Sequence, residues 1–114
     1  MSDRWTPFCA IADFPSDGKM SKKLGDWRIL LVKEGDQFFG YNDCCTHQAA
    51  KLSDGRIRRG SIMCPLHGAR FEVVTGRCLG GSYPGLLPLA VRERNGCLEV
   101  ALPDRSPEPH ENPV

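Results

Sequence analysis

The sequence predicts a single all-β domain, folded as an antiparallel sandwich or small barrel. Its apolar residues fall in short runs of strand length, and turn-forming residues separate these runs. No apolar stretch keeps the helical period over the length that a helix requires. The 114 residues lie within the usual size of one domain, so we expect one folded unit.

Eight segments have the composition of strands, and glycine-containing turns connect several of them. Asn95-Gly96 is the strongest turn signal, since both residues tolerate the positive φ angles of a type I′ hairpin. Gly25-Asp26 and Glu34-Gly35-Asp36 mark two earlier turns. The predicted strands are 5–10, 19–24, 27–33, 37–42, 61–63, 70–74, 87–94 and 97–102.

The composition changes after Leu102. Four prolines stand among charged residues there, a composition that buries too little apolar surface to fold by itself. We therefore expect a folded domain over residues 1–102 and a disordered, proline-rich tail over 103–114.

Two short motifs, CTH and CPLHG, are separated by sixteen residues and contain two cysteines and two histidines. In an extended segment residues i and i+2 lie on the same side, so Cys45 and His47 can face one centre. In the second motif Pro65 fixes its own φ angle, which favours a tight turn that brings Cys64 and His67 together. The four side chains predict one metal centre, placed on loops where redox partners can reach it.

The metal of this centre is either a tetrahedral zinc ion or a two-iron, two-sulfur cluster, because two thiolates and two imidazoles suit both. Zinc fingers usually pair Cys with Cys and His with His at short range, whereas each motif here contains one of each. A mixed pair suits a cluster in which one iron binds both thiolates and the other both imidazoles. The pattern favours the cluster over zinc, and over buried cysteines and histidines that bind no metal.

The two motifs, followed by Ala69-Arg70-Phe71 and Thr75-Gly76, resemble those of the Rieske iron–sulfur proteins. The likeness extends from about Trp5 to Leu102. Within that family the chain is most similar to the small ferredoxins of bacterial aromatic-ring-hydroxylating oxygenase systems. The resemblance implies a Rieske-like antiparallel fold with two cluster-binding loops, and a [2Fe-2S] cofactor.

The resemblance also implies the role of each ligand. Cys45 and Cys64 would bind the inner iron, while His47 and His67 would bind the outer, more exposed one. The implied function is that of a one-electron carrier from a flavin-dependent reductase to a terminal ring-hydroxylating oxygenase. The chain would then be an electron-transfer component and no enzyme by itself.

Two departures from the high-potential members of this family affect the expected reduction potential. Those members have a disulfide between the cluster loops, but Ala49, Ala50 and Leu66 stand in that part of this sequence. Ala69 and Phe71 replace a Ser and a Tyr whose hydroxyls donate to cluster sulfurs. Since such donors stabilise the reduced cluster, we expect a potential near the lower end of the Rieske range, which begins at about −150 mV.

A glycine-rich segment over residues 80–85 lacks the Lys-Ser/Thr ending of a phosphate-binding loop and leads into prolines, so we do not expect it to bind phosphate. In the resembled family a third, proline-containing loop covers the cluster at this place. Tyr83 is then either a contact of the site or a surface ring without a role.

The remaining features favour a soluble carrier. Residues 1–7 do not form a signal peptide, so we expect a cytoplasmic protein without a membrane anchor. The net charge of +1 does not suggest nucleic-acid binding, although arginines near the motifs either steer an acidic partner or form an ordinary solvated hairpin.

Besides the two predicted histidine ligands the only histidine is His110. One histidine is too few for a mononuclear oxygen-activating iron, which needs two. The other cysteines, expected as small buried hydrophobes, are Cys9, Cys44, Cys78 and Cys97.

The sequence leaves three alternative functions open. The chain could be the small Rieske subunit of a complex resembling nitrite reductase or arsenite oxidase, which would have a permanent interface. It could be a redox sensor, or a zinc-bound structural module without colour. A shuttle must dissociate between deliveries, so for the carrier we expect a monomer.

Overall fold

The computed structural model describes residues 4–46, 50–66, 68–80 and 83–112. These residues form ten β-strands and three short 3-10 turns, and within the same ranges there is no α-helix. The predicted all-β class is confirmed. In chain order the strands are β1 (Arg4–Ala10), β2 (Lys19–Leu24), β3 (Trp27–Glu34), β4 (Gln37–Asn42), β5 (Arg56–Arg58), β6 (Ser61–Met63), β7 (Arg70–Glu72), β8 (Pro88–Leu89), β9 (Val91–Arg94) and β10 (Cys97–Leu102).

Among the described residues the strands form three antiparallel sheets. Their strand orders are β1-β10-β9, β2-β3-β4-β8 and β5-β6-β7. The 70–74 segment is a strand only up to Glu72, because the chain turns there and the Gly76 N–H donates back to the Glu72 carbonyl. The 87–94 segment divides at Ala90. Strand β8, before this residue, pairs with β4 in one sheet, and strand β9, after it, pairs with β10 in another. Strand β5 was not predicted.

The central strand β3 has side chains buried on both of its faces. Ile29 and Leu31 pack with β1 and β10, whereas Leu30 and Val32 pack with the segments that contain the two motifs. Because alternate residues of a strand point to opposite faces, the four-stranded sheet lies between two hydrophobic clusters. The cluster with Leu30 and Val32 also includes Cys45 and Cys64, so the predicted metal centre stands on the same core that holds the sheet.

Residues 103–112, which the sequence predicts to be disordered, follow a defined path over the domain. The Trp27 indole N–H donates to the Arg105 carbonyl at 2.9 Å, and the Asn42 side-chain amide donates to the Glu111 carbonyl at 3.0 Å. Both guanidinium nitrogens of Arg105 donate to the Glu111 carboxylate, at 2.7 and 2.8 Å. Donors of the folded domain bind tail carbonyls here, which composition alone does not reveal, and the expected disorder of the tail stays a prediction. The domain boundary at residue 102 stays a prediction.

We expect acid to release this tail. The hydrogen bonds from Arg105 lower the pKa of Glu111 from its ordinary 4.5 to about 2. A carboxylate with a lowered pKa stabilises the docked state above about pH 4.5, and this contribution disappears as the pH falls toward 2. The fluorescence of Trp27 should report the release in a Trp5→Phe background, because the Trp27 indole contacts the tail.

Glu111→Gln is the matched control for this titration. The amide carries no titratable charge, so the variant should show weaker docking at neutral pH and no transition over the same interval. Identical acid profiles of the two proteins would show that Glu111 does not hold the tail.

The described residues include no helical segment that could span a lipid bilayer.

Candidate metal centre

The first motif begins where strand β4 ends. Cys45 is 1% exposed, and its backbone N–H donates to the Ala50 carbonyl at 2.9 Å. This hydrogen bond closes a loop from residue 45 to residue 50, which includes His47. His47 lies outside the described residues.

The second motif follows strand β6 and closes in the same manner. Cys64 is 1% exposed, and its N–H donates to the Ala69 carbonyl at 2.7 Å. Gly68 has a φ of 76°, a left-handed conformation that favours glycine, and its N–H donates to the Cys64 carbonyl. His67 lies outside the described residues. Both loops therefore begin at a buried cysteine whose N–H binds the carbonyl five residues later.

The two thiols belong to one hydrophobic cluster, together with Leu52, Ile62 and Phe71. Both predicted thiolate ligands are therefore anchored on the same core, as is required if one iron binds both of them. Within the described ranges, Cys9, Cys44, Cys64, Cys78 and Cys97 form no disulfide. Among the described residues alone, no three His, Cys, Asp or Glu side chains are grouped to bind a metal ion.

A buried aspartate anchors the first loop, and the sequence analysis missed it. Asp43 is fully buried and precedes Cys45 by two residues. Its carboxylate accepts hydrogen bonds from the Ser21 hydroxyl at 2.7 Å, from the Ser53 N–H at 2.8 Å and from the Ser53 hydroxyl at 2.7 Å. Its own N–H donates to the Arg28 carbonyl at 2.9 Å. Asp43 therefore connects the loop to β2, β3 and the turn at Leu52–Asp54. The only signal in the sequence is an acidic residue beside a cysteine pair.

Gly55 allows the segment before β5 to lie directly against the second loop. A Cβ atom added at this position would stand 1.8 Å from the Met63 carbonyl oxygen, so no side chain fits without backbone movement. Met63 is the residue before Cys64. Gly55 therefore keeps the turn at Leu52–Asp54 close to the second motif. The same turn lies close to the first motif, because the Ser53 N–H donates to Asp43.

Cys44 stands beside a predicted ligand but is held as a neutral thiol. It is 4% exposed, and burial raises its pKa to about 11, with further contributions from Cys45 and Asp43. Its Sγ donates to the His110 carbonyl of the tail at 3.4 Å. Cys78 is buried as expected, whereas Cys9 and Cys97 are only half-buried.

The third, proline-containing segment contacts the first loop. The Thr46 hydroxyl donates to the Pro84 carbonyl at 2.6 Å. A cavity of about 370 Å³ between this segment and the tail is lined by Cys45, Thr46, Pro84 and His110, among others. Gly81 and Ser82 lie outside the described residues, and the role of the exposed Tyr83 stays a prediction.

Ala69 and Phe71 offer no hydroxyl to this centre. Phe71 is fully buried in the cluster that holds both thiols, and Ala69 packs against the same cluster. The two buried thiols and the two matched loops fit a cluster of the Rieske type. The low potential expected from these two residues stays a prediction.

Comparisons with known proteins agree with this geometry. Residues 4–90 match the family described as the Rieske [2Fe-2S] domain. Ferredoxin CarAc of Metapseudomonas resinovorans is 36% identical over 94 residues, which cover 82% of this chain and 86% of that protein. The anthranilate 1,2-dioxygenase ferredoxin subunit of Burkholderia cepacia is 35% identical over 72 residues, covering 63% of this chain and 67% of that subunit.

Solved structures show the same fold. A chain in the complex of reduced oxygenase and oxidized ferredoxin of carbazole 1,9a-dioxygenase has a TM-score of 0.77 and 30% identity, covering 88% of this chain and 94% of its own. The Sphingomonas yanoikuyae B1 ferredoxin has a TM-score of 0.77 at 20% identity, covering 88% of this chain and all of its own, which supports the fold alone. The cofactor is a [2Fe-2S] cluster, and the chain belongs to the Rieske [2Fe-2S] family.

Proposed function

We propose that this protein is a one-electron carrier that receives electrons from a flavin-dependent reductase and delivers them to a terminal ring-hydroxylating oxygenase. The observation that carries the proposal is the match to ferredoxin components over most of both chains, 82% of this one and 86% of ferredoxin CarAc. We also propose that the carrier is monomeric and cytoplasmic, and that residues 1–102 are its folded unit.

We propose Cys45, His47, Cys64 and His67 as the residues that hold the cofactor. When bound, a [2Fe-2S] cluster accepts and releases a single electron. Cys45 and Cys64 are buried beneath the loop ends, so the protein keeps water away from both thiolates. His47 and His67 come two and three residues after these cysteines in the chain, and we propose the histidine side as the exit for the electron.

The chemistry of ring hydroxylation belongs to the partner. Activation of oxygen in such systems requires a separate iron, usually bound by two histidines and a carboxylate. With two of its three histidines assigned to the cluster, this chain retains only His110. The relative in Burkholderia cepacia is likewise the ferredoxin subunit of a dioxygenase.

A reductive titration combined with single-turnover transfer tests the function. The purified protein should consume one electron per molecule and give the absorption and EPR changes of a Rieske cluster. The reduced protein should then be reoxidised by the oxygenase component of carbazole 1,9a-dioxygenase, chosen because the ferredoxin of that system is a relative.

The alternatives predict other results. A colourless protein that contains zinc and consumes no electron would indicate a structural module. Purification from its source in fixed stoichiometry with a large catalytic subunit would indicate a permanent subunit of a complex. Slow reduction by every reductase and no delivery to an oxygenase would indicate a sensor.

A further inference from the structure

The outer face of the sheet β5-β6-β7 displays a concentration of arginines beside the proposed cluster site. Arg56, Met63 and Arg70 are partners in register across the three strands, so their side chains stand in one row on the same face. Arg58 lies two residues from Arg56 on that face, and Arg59 follows in the turn. All four arginines are exposed. The opposite face, which holds Ile57, Ile62 and Phe71, packs into the core.

The positive charge of this arginine face is not neutralised within the described part of the molecule. There, none of the four guanidinium groups forms an ion pair or a side-chain hydrogen bond. Glu72 lies on the same sheet, but its carboxylate accepts from the Thr75 hydroxyl at 2.6 Å and stands 3.9 Å from the Arg77 guanidinium. Since the whole chain has a net charge of only +1, four arginines without ion pairs on one face show that its charge is distributed unevenly.

The face also has a concave, partly apolar centre. A groove of about 270 Å³ is lined by the four arginines with Ser61, Met63 and Leu79. Met63 is 38% exposed although it is apolar. Arginine and methionine around a partly apolar centre are typical of protein interfaces, and guanidinium groups bind carboxylates with two parallel hydrogen bonds.

The position of the groove connects it to electron transfer. Met63 directly precedes Cys64, and Arg70 directly follows Ala69, the residue that closes the second loop. A partner seated on the row of Arg56, Met63 and Arg70 therefore lies at the end of the sheet from which this loop projects.

We propose that the arginine face is the docking surface for a carboxylate-rich face of the electron-accepting protein. The inference rests on the proposed function, because it assumes that a redox protein is the partner. The carboxylates pair with Arg56, Arg58, Arg59 and Arg70, and an apolar side chain of the partner packs on Met63. The attraction orients the partner toward the loop of Cys64 before the electron is transferred.

The test uses the cluster-loaded protein and two redox proteins of opposite charge. Plant plastocyanin is an acidic copper protein, and mitochondrial cytochrome c is a basic haem protein. Binding is measured by calorimetry at low and high ionic strength, and electron delivery by stopped-flow mixing with the dithionite-reduced protein. The variants are Arg56→Glu/Arg70→Glu and the milder Arg56→Gln/Arg70→Gln. The control is Lys33→Glu/Arg94→Glu, which changes the net charge equally at exposed positions outside this sheet.

The parent should bind plastocyanin at low salt and lose this binding at high salt, and it should not bind cytochrome c. The Arg56→Glu/Arg70→Glu variant should weaken plastocyanin binding by about tenfold, whereas the control pair should change it by less than about twofold. Equal losses in the two pairs, or an unchanged affinity in both, would overturn the docking surface. Tighter binding of a short DNA duplex that requires the same arginines would also overturn it, in favour of a phosphate-binding face.

Electron delivery separates this inference from the proposed function. A protein that binds plastocyanin through the arginines but never reduces it at any salt concentration would contradict the carrier function while leaving the surface intact. A protein that reduces both acceptors with rates insensitive to Arg56 and Arg70 would support the carrier function and contradict the surface.

Discussion

A Cys64→Ser protein is expected to fold and to contain no iron–sulfur cluster. The Cys64 thiol is 1% exposed and belongs to the same hydrophobic cluster as Cys45, so the substitution removes one of the two thiolates proposed to bind iron. A serine hydroxyl is far less acidic than a thiol and is a poor ligand for iron in place of a thiolate. The measurements are the iron content, the visible absorption and the EPR signal after reduction, each of which should fall to background.

Cys78→Ser is the matched control for this variant. Cys78 is also buried, at 5% exposure, and packs in the same cluster, but it is not one of the proposed ligands. This variant should lose some stability and keep its full iron content and spectrum. Loss of the cluster from Cys78→Ser, or retention of it by Cys64→Ser, would show that the ligand assignment is incorrect.

The Asp43→Ala variant is expected to lose about 3 to 5 kcal/mol of unfolding free energy, because the two Ser hydroxyls and one backbone N–H that bind the carboxylate lose a buried acceptor. Urea unfolding followed by Trp fluorescence measures the loss. The effect should extend to the cofactor, since Asp43 lies two residues before Cys45 and positions its loop. We expect a chelator to remove iron from the variant faster than from the parent in the absence of denaturant.

Two further variants distinguish positioning of the loop from general destabilisation. Asp36→Ala, at an exposed turn, should remain within about 0.5 kcal/mol of the parent and keep its rate of iron loss. Ser21→Ala removes one donor but leaves Asp43 with two hydrogen bonds from Ser53, so it should have an intermediate effect. Rapid iron loss in Asp36→Ala, or none in Asp43→Ala, would contradict a positioning role for Asp43.

Much of the fold was readable from local pattern, and each exception has a physical cause. Strand β5 escaped prediction because Arg56–Arg58 has a single apolar residue between two arginines, too short a pattern to count as a run. Its pairing with β6 is set by the turn at Arg59 and Gly60, both with positive φ, and by Ile57 reaching the core. The division of the 87–94 segment depends on which neighbouring strand each half meets, which no local pattern contains.

The sequence by itself determined the all-β class and the type of centre, and it predicts the four ligands. These follow from residue types and short spacings: two thiols and two imidazoles in mixed pairs, and strand-length apolar runs between turns. Only the tertiary structure decided what supports the centre. Asp43 meets Ser21 and Ser53, the tail meets Trp27, and three strands align the residues of the arginine face, because each contact joins residues that are distant in the chain. Such contacts depend on how the sheets pack, and packing is a property of the whole chain.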